Sequence, residues 1–230
     1  MKTIIALDFP GAKETLSFLD RLAEEKEKPF VKIGMELYYA EGPSIVKEIK
    51  RRGYGIFLDL KLHDIPNTVK KAMKVLSALD VDIVNVHASG GRKMMEAALE
   101  GLTRPDGSRP KLIAVTQLTS TSPEMLKEEL LIGESMEKTI EAYALNAKAA
   151  GLDGVVCSPL EVEKVKKACG PEFLAVTPGI RFADSAGDDQ VRVTTPRKAR
   201  ELGSDYIVVG RPVTQADDPL AALRRIRAEE

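Results

Sequence analysis

Residues 55–79 read GIFLDLKLHDIPNTVKKAMKVLSAL. The stretch opens as an apolar strand over 55–61, and the spacing predicts a helix over 67–79. Successive side chains of a strand point to opposite faces, so Phe57, Asp59 and Lys61 share one face while Ile56, Leu58 and Leu60 share the other. An acid and a base therefore stand side by side where a strand should be entering a core.

Seven further strand-then-helix units flank this one. Strand-like runs at 3–8, 30–35, 82–88, 111–118, 153–158, 173–178 and 205–210 are each followed by helical patterns. Those patterns cover 12–26, 42–52, 91–101, 123–131 with 136–150, 160–168, 195–202 and 218–228. Strict alternation predicts an all-parallel sheet, and eight repeats in 230 residues predict a closed α/β barrel, the (β/α)8 or TIM barrel. No GxGxxG follows the first strand, which disfavours an open doubly wound sheet. No linker or low-complexity segment divides the chain, so residues 1–230 are expected to form a single domain.

Composition narrows the function classes. Hydrophobic residues make up 43% of the chain, enough for a large core. With 34 basic and 35 acidic residues the net charge is −1, so no global field draws the protein to nucleic acid or membrane. Any anion must be held by local groups. Cys157 and Cys169 are too few for a disulfide framework, and Cys157 in GVVC reads as core. The N-terminal apolar run is too short for a signal peptide, and a cytoplasmic location is expected.

In such barrels chemistry sits at the C-terminal ends of the strands. The first strand ends in Asp8 and the second carries Lys32. The third ends in Asp59 and Lys61, with Asp64 in the following loop. An ion-pair network could cap a barrel with these groups. Burying five charges costs several kcal/mol per ion unless each is paired, so stability alone is a poor reason for them. The fifth strand runs to Thr116, Gln117 and Thr119, and the fourth reaches His87. His87 reads equally as a structural hydrogen-bonding group, and His63 as solvent-facing. No HxH, HExxH or cysteine cluster suggests zinc, and GxSxG is absent.

Two loops point to phosphate. The segment TPGIRFADSAGDDQVRVTTP at 177–196 is long for a connection and has the Gly, Asp and Ser content of a lid. After the eighth strand, Gly210 and Arg211 are placed to open a short helix, where backbone N–H groups and an arginine suit an anion.

DLKLHDIPNTV resembles the DxKxxDIPNT signature of the orotidine 5′-monophosphate decarboxylase family. The resemblance extends over essentially the whole chain: ALDFP, VKIGMEL, VNVHASGG, VTQLTS, TPGIR with DDQ, and YIVVGRPV occur in order. It implies conversion of orotidine 5′-monophosphate (OMP) to uridine 5′-monophosphate (UMP) and CO2 in pyrimidine biosynthesis, by a homodimer with no metal or organic cofactor. It implies that Asp8 and Lys32 meet the ribose hydroxyls and that Asp59 and Lys61 face the reacting carbon. Asp64, Ile65 and Thr68 would reach into the neighbouring subunit's site. Thr119 and Pro178 would border the pyrimidine, while Arg181, Gln190, Gly210 and Arg211 would hold phosphate. Magnesium-dependent sugar-phosphate enzymes of the same suprafamily are the rival reading. They resemble this chain less, because Lys32 stands where they place a carboxylate for the metal. A nucleotide-binding barrel without activity is the other, and it would have no need of Asp59, Lys61 and Asp64 together.

Overall fold

The computed structural model describes residues 1–182 and 194–229. Its strands are β1 (Lys2–Ala6), β2 (Phe30–Ile33), β3 (Gly55–Leu62), β4 (Ile83–His87), β5 (Lys111–Val115), β6 (Gly154–Val156), β7 (Leu174–Thr177) and β8 (Tyr206–Val209). All are parallel, neighbours in sequence are neighbours in space, and β8 returns to β1 to close the barrel. The expected (β/α)8 architecture is present.

Each strand alternates between two apolar environments, which is why the strands read as near-continuous hydrophobic runs. Ile4, Phe57, Ile83, Ile113, Val176 and Val208 fill the barrel interior. Ile5, Ile56, Leu58, Val84 and Ala175 face outward into the layer beneath the helices. Each such buried Ile, Leu, Val or Phe contributes about 1.5–3 kcal/mol relative to exposure. At the N-terminal end of the strands the interior is stoppered by Phe30 and Tyr206, packed edge to face at 5.8 Å.

The outer layer comprises α1 (Ala12–Asp20), α2 (Met35–Glu41), α3 (Pro43–Arg51), α4 (Pro66–Leu76), α5 (Arg92–Leu102), α6 (Met136–Ala149), α7 (Val162–Cys169), α8 (Pro196–Glu201), α9 (Arg211–Thr214) and α10 (Pro219–Glu229). In α4, Pro66 opens the first turn, and Val69, Met73 and Leu76 form its buried stripe. Gly101 lets α5 approach α4 closely, because a Cβ there would stand 2.1 Å from the Lys70 carbonyl oxygen.

Three helical expectations are corrected. The helix predicted over 12–26 stops at Asp20, and Lys28 Nζ donates to the Leu22 and Ala23 carbonyls in the turn beyond it. The helix predicted over 42–52 is preceded by another, α2, from which Gly42 divides it at φ +62°. The stretch 123–131 is helical from its start only as far as residue 129, with π-helical bonding over Met125–Glu129.

The end opposite the expected site carries three ionic clasps of one design. Asp82, Asp153 and Asp205 precede β4, β6 and β8. Each accepts a hydrogen bond from a backbone N–H of the preceding strand, at Ile56 (2.8 Å), Leu112 (2.7 Å) and Ala175 (2.7 Å). Each also pairs with a cation: Lys50 (2.9 Å), Arg109 (2.5 Å) and Lys166 (2.6 Å) respectively. These are structural ion pairs, with the carboxylates spent on backbone and partner.

Candidate active site

The charges at the C-terminal end are arranged differently. Asp8, just past β1, has Oδ1 2.9 Å from Lys32 Nζ on β2. The same ammonium lies 3.5 Å from Asp59 Oδ2 on β3, and Asp59 Oδ1 is 2.7 Å from Lys61 Nζ. The result is an alternating row of carboxylate, ammonium, carboxylate, ammonium across three adjacent strands. The face assigned to Asp59 from the sequence holds, since Asp59 borders the same cavity as Phe57, whereas the strand is irregular between Leu58 and Leu62 and alternation does not extend to Lys61.

Burial works against both central charges, yet their partners outweigh it. Asp59 and Asp8 hold the Lys32 ammonium above the ordinary lysine range despite its burial. Lys32, Lys61 and Asn85 hold the buried Asp59 carboxyl below the ordinary carboxylate range. Both groups are therefore ionised at neutral pH.

A cavity of about 330 Å³ opens against this row. Lys32, Asp59 and Lys61 form its charged wall, and Phe57, Val156 and Val208 its apolar floor. Gln117, Thr119 and Pro178 also line it. The wall can fix an anionic or hydroxylated ligand, and the floor suits a planar ring.

The five-group cluster expected from the sequence numbers four within one chain. Asp64 lies in the loop beyond β3 and is exposed; its Oδ1 accepts the Ile65 N–H at 2.6 Å, and it makes no ion pair among the described residues. Ile65 and Thr68 are exposed beside it. Asp64 and Thr68 line a second, largely apolar groove of about 590 Å³ together with Met35, Tyr39, Leu62 and Val75.

The expected phosphate groups are divided. Gly210 caps α9 and adjoins the charged row, for a Cβ on it would stand 3.9 Å from Asp8 Oδ2. Arg211 follows it and is exposed. Arg181 sits where the long connection leaves the barrel: its N–H donates to the Thr194 carbonyl at 2.9 Å, and the Thr194 N–H donates to that of Gly179 at 2.9 Å. Gln190 lies outside the described residues, as does most of the expected lid.

His63 and His87 stand with ring centres 5.8 Å apart. Burial, His63 and Lys61 lower the His87 pKa, so this imidazole stays neutral beside the site at neutral pH. Cys157 and Cys169 are buried and form no disulfide, and Cys157 also borders the cavity. Among the described residues, no three His, Cys, Asp or Glu side chains converge as a metal-binding group, and no helix is long and apolar enough to cross a membrane.

The sequence reading missed Asn85. It is fully buried on β4, and its Nδ2 donates to Asp59 Oδ1 at 2.7 Å. Strand alternation, applied to 83–87, would have turned it inward between Ile83 and His87.

Comparison with known proteins agrees with the fold. The model of the Orotidine 5'-phosphate decarboxylase / HUMPS family matches residues 1–226. Orotidine 5'-phosphate decarboxylase of Geobacillus thermodenitrificans is 59% identical over 229 residues, covering 98% of this chain and 95% of the relative. That of Bacillus caldolyticus is 61% identical, covering 98% and 93%. The crystal structure of the Lactobacillus acidophilus enzyme of that name superposes with a TM-score of 0.88 at 44% identity, covering 99% of this chain and 98% of the other.

Proposed function

Belonging as it does to the orotidine 5′-phosphate decarboxylase family, the chain converts OMP to UMP and CO2 in pyrimidine biosynthesis, and we propose that Lys61 carries the step. The observation that supports this role is the alternating row, which fixes an ammonium beside a cavity with an apolar floor.

Breaking the bond between the pyrimidine ring and its carboxylate releases CO2 and leaves the electron pair on the ring carbon. No adjacent group delocalises that pair, so the uncatalysed barrier is high. The Lys61 ammonium stabilises the developing charge from a preorganised position and then donates its proton to the carbon. The C–H bond forms, UMP results, and the neutral amine regains a proton from water. Asp59, whose Oδ1 is 2.7 Å from Lys61 Nζ, keeps Lys61 aimed. Asp8 and Lys32 meet the ribose hydroxyls, while Thr119 and Pro178 border the base. Arg181, Gln190, Gly210 and Arg211 hold the phosphate, whose binding energy helps assemble the site.

The reaction is assigned no metal. Lys32 Nζ sits between Asp8 and Asp59, where a divalent cation would otherwise bridge the two carboxylates. Following the loss of OMP absorbance with purified protein tests this: conversion is expected to persist unchanged in chelator. Conversion that stops in chelator and returns with magnesium would transfer the site to metal-assisted chemistry.

The working unit is a homodimer, located in the cytoplasm. Support comes from the apolar groove at Asp64, where Met35, Tyr39 and Val75 are exposed by 45, 71 and 62%, with Ile65 exposed by 66% next to Asp64 in the chain. A second copy packed there buries these side chains and brings Asp64, Ile65 and Thr68 to the neighbouring site. Mixing the inactive variants Asp64→Ala and Lys61→Ala is then expected to restore activity, because a heterodimer contains one intact site. Subunit exchange verified by mass spectrometry with no recovered turnover would place Asp64 outside the shared site.

A further inference from the structure

β3 does not reach Lys61 by regular strand geometry. Leu58 pairs with Val84 and Leu62 with Val86, so Asp59, Leu60 and Lys61 share the span that Asn85 alone occupies opposite. The surplus chain bows out, and Lys61 takes φ +50°. A left-handed backbone costs a residue with a side chain about 1–2 kcal/mol, so something must hold it.

Asn85 is placed to do so. Its side-chain Oδ1 accepts the Lys61 N–H at 2.8 Å, taking the place of a ladder carbonyl. Its Nδ2 donates to Asp59 Oδ1 at 2.7 Å, and that same oxygen is 2.7 Å from Lys61 Nζ. The chemistry fixes the amide orientation, because an N–H can only donate and a carboxylate can only accept. The bonds close a ring from the Lys61 backbone, through Asn85 and Asp59, to the Lys61 ammonium. Asn85 is fully buried and does not border the cavity, so it acts on the site without touching its contents.

We propose that Asn85 is a positioning residue for the decarboxylation, holding the Lys61 backbone turn and one oxygen of Asp59 in fixed relation so that the ammonium is aimed before substrate arrives. This rests on the assignment of Lys61 and Asp59 to the chemistry. An amide is suited to the task, since it offers one acceptor and one donor at a fixed separation. An aspartate would offer acceptors to both partners and repel Asp59. Alanine would leave the Lys61 N–H and an Asp59 lone pair unsatisfied in a buried place. Misaiming a catalytic group by about 1 Å costs on the order of 10²-fold.

The test uses the full chain, with steady-state kinetics across pH and UMP affinity by calorimetry. Asn85→Ala is expected to lower kcat about 10²-fold while KM and the UMP dissociation constant change less than about threefold. Asn85→Asp, of the same shape, serves where Asn85→Ala does not fold. Its kcat relative to wild type is expected to rise as pH falls, because two adjacent carboxylates raise one pKa and the protonated acid regains the donor. A structural role alone would not produce that pH dependence. A kcat within threefold of wild type overturns the proposal, as does an equal loss of kcat and UMP affinity. A Lys61→Ala variant that retained turnover would overturn the assignment beneath it instead.

Discussion

Replacing Lys61 with alanine is expected to lower kcat by about 10⁴-fold or more, with UMP binding still measurable by calorimetry. One group serves two functions here. Stabilising charge that appears only in the transition state contributes about 10²–10³-fold, and a positioned proton donor about 10²–10⁴-fold. Product binding survives because phosphate and ribose are held by other residues in the proposed site. Alanine is the informative substitution, since glycine would also relax the φ of +50° and mix a backbone effect into the result. Turnover within tenfold of wild type would remove Lys61 from the bond-breaking step.

Asp59→Asn is expected to lower kcat about 10²–10³-fold and to destabilise the fold, in the range of 3–5 kcal/mol typical of a broken buried pair. The carboxylate faces two ammonium groups, at 2.7 and 3.5 Å, and is only 7% exposed. Neutralising it leaves Lys32 without its buried counter-ion. The stability effect should carry a pH signature. The native-state pKa of Asp59 is depressed, so its contribution is present above the unfolded pKa of about 3.9 and lost as pH falls through the lower native value. The gap between wild type and variant in urea denaturation is therefore expected to stay constant above about pH 5 and to narrow below about pH 4. A gap that widens in acid would contradict the assignment of that charge.

The barrel was legible because its signal is local and repeated. The period of two in GIFLDLK and the helical pattern after it recur with Gly or Pro between, and parallel strands buried on both faces read as apolar runs. Asp59 was legible for the same reason, since alternation alone puts it on the Phe57 face. The turn at Lys61 was not. It depends on a side chain 24 residues away, and nothing within DLKLHD announces a left-handed lysine. Asn85 was overlooked because alternation gives its inward face but not its partners, Asp59 and Lys61, which are 26 and 24 residues away. Helix α2 was read as a connection because glycines bound it at Gly34 and Gly42 and leave it short. Asp64 could be placed in its loop from sequence, but which subunit it serves is a property of an assembly rather than of a chain.

The apolar floor of the cavity has a consequence for how this molecule can change. Phe57 and Val208 line the cavity and also belong to the interior core of the barrel. A substitution there alters the shape offered to a ligand and the packing of the strands at once. Durability and substrate preference are thus locked together at the top of the barrel, as expected where a site is cut into a core. The three clasps at Asp82, Asp153 and Asp205 lie at the far end, on residues the site does not use. Selection for life at another temperature has free play there, and selection for another substrate must accept a less durable barrel.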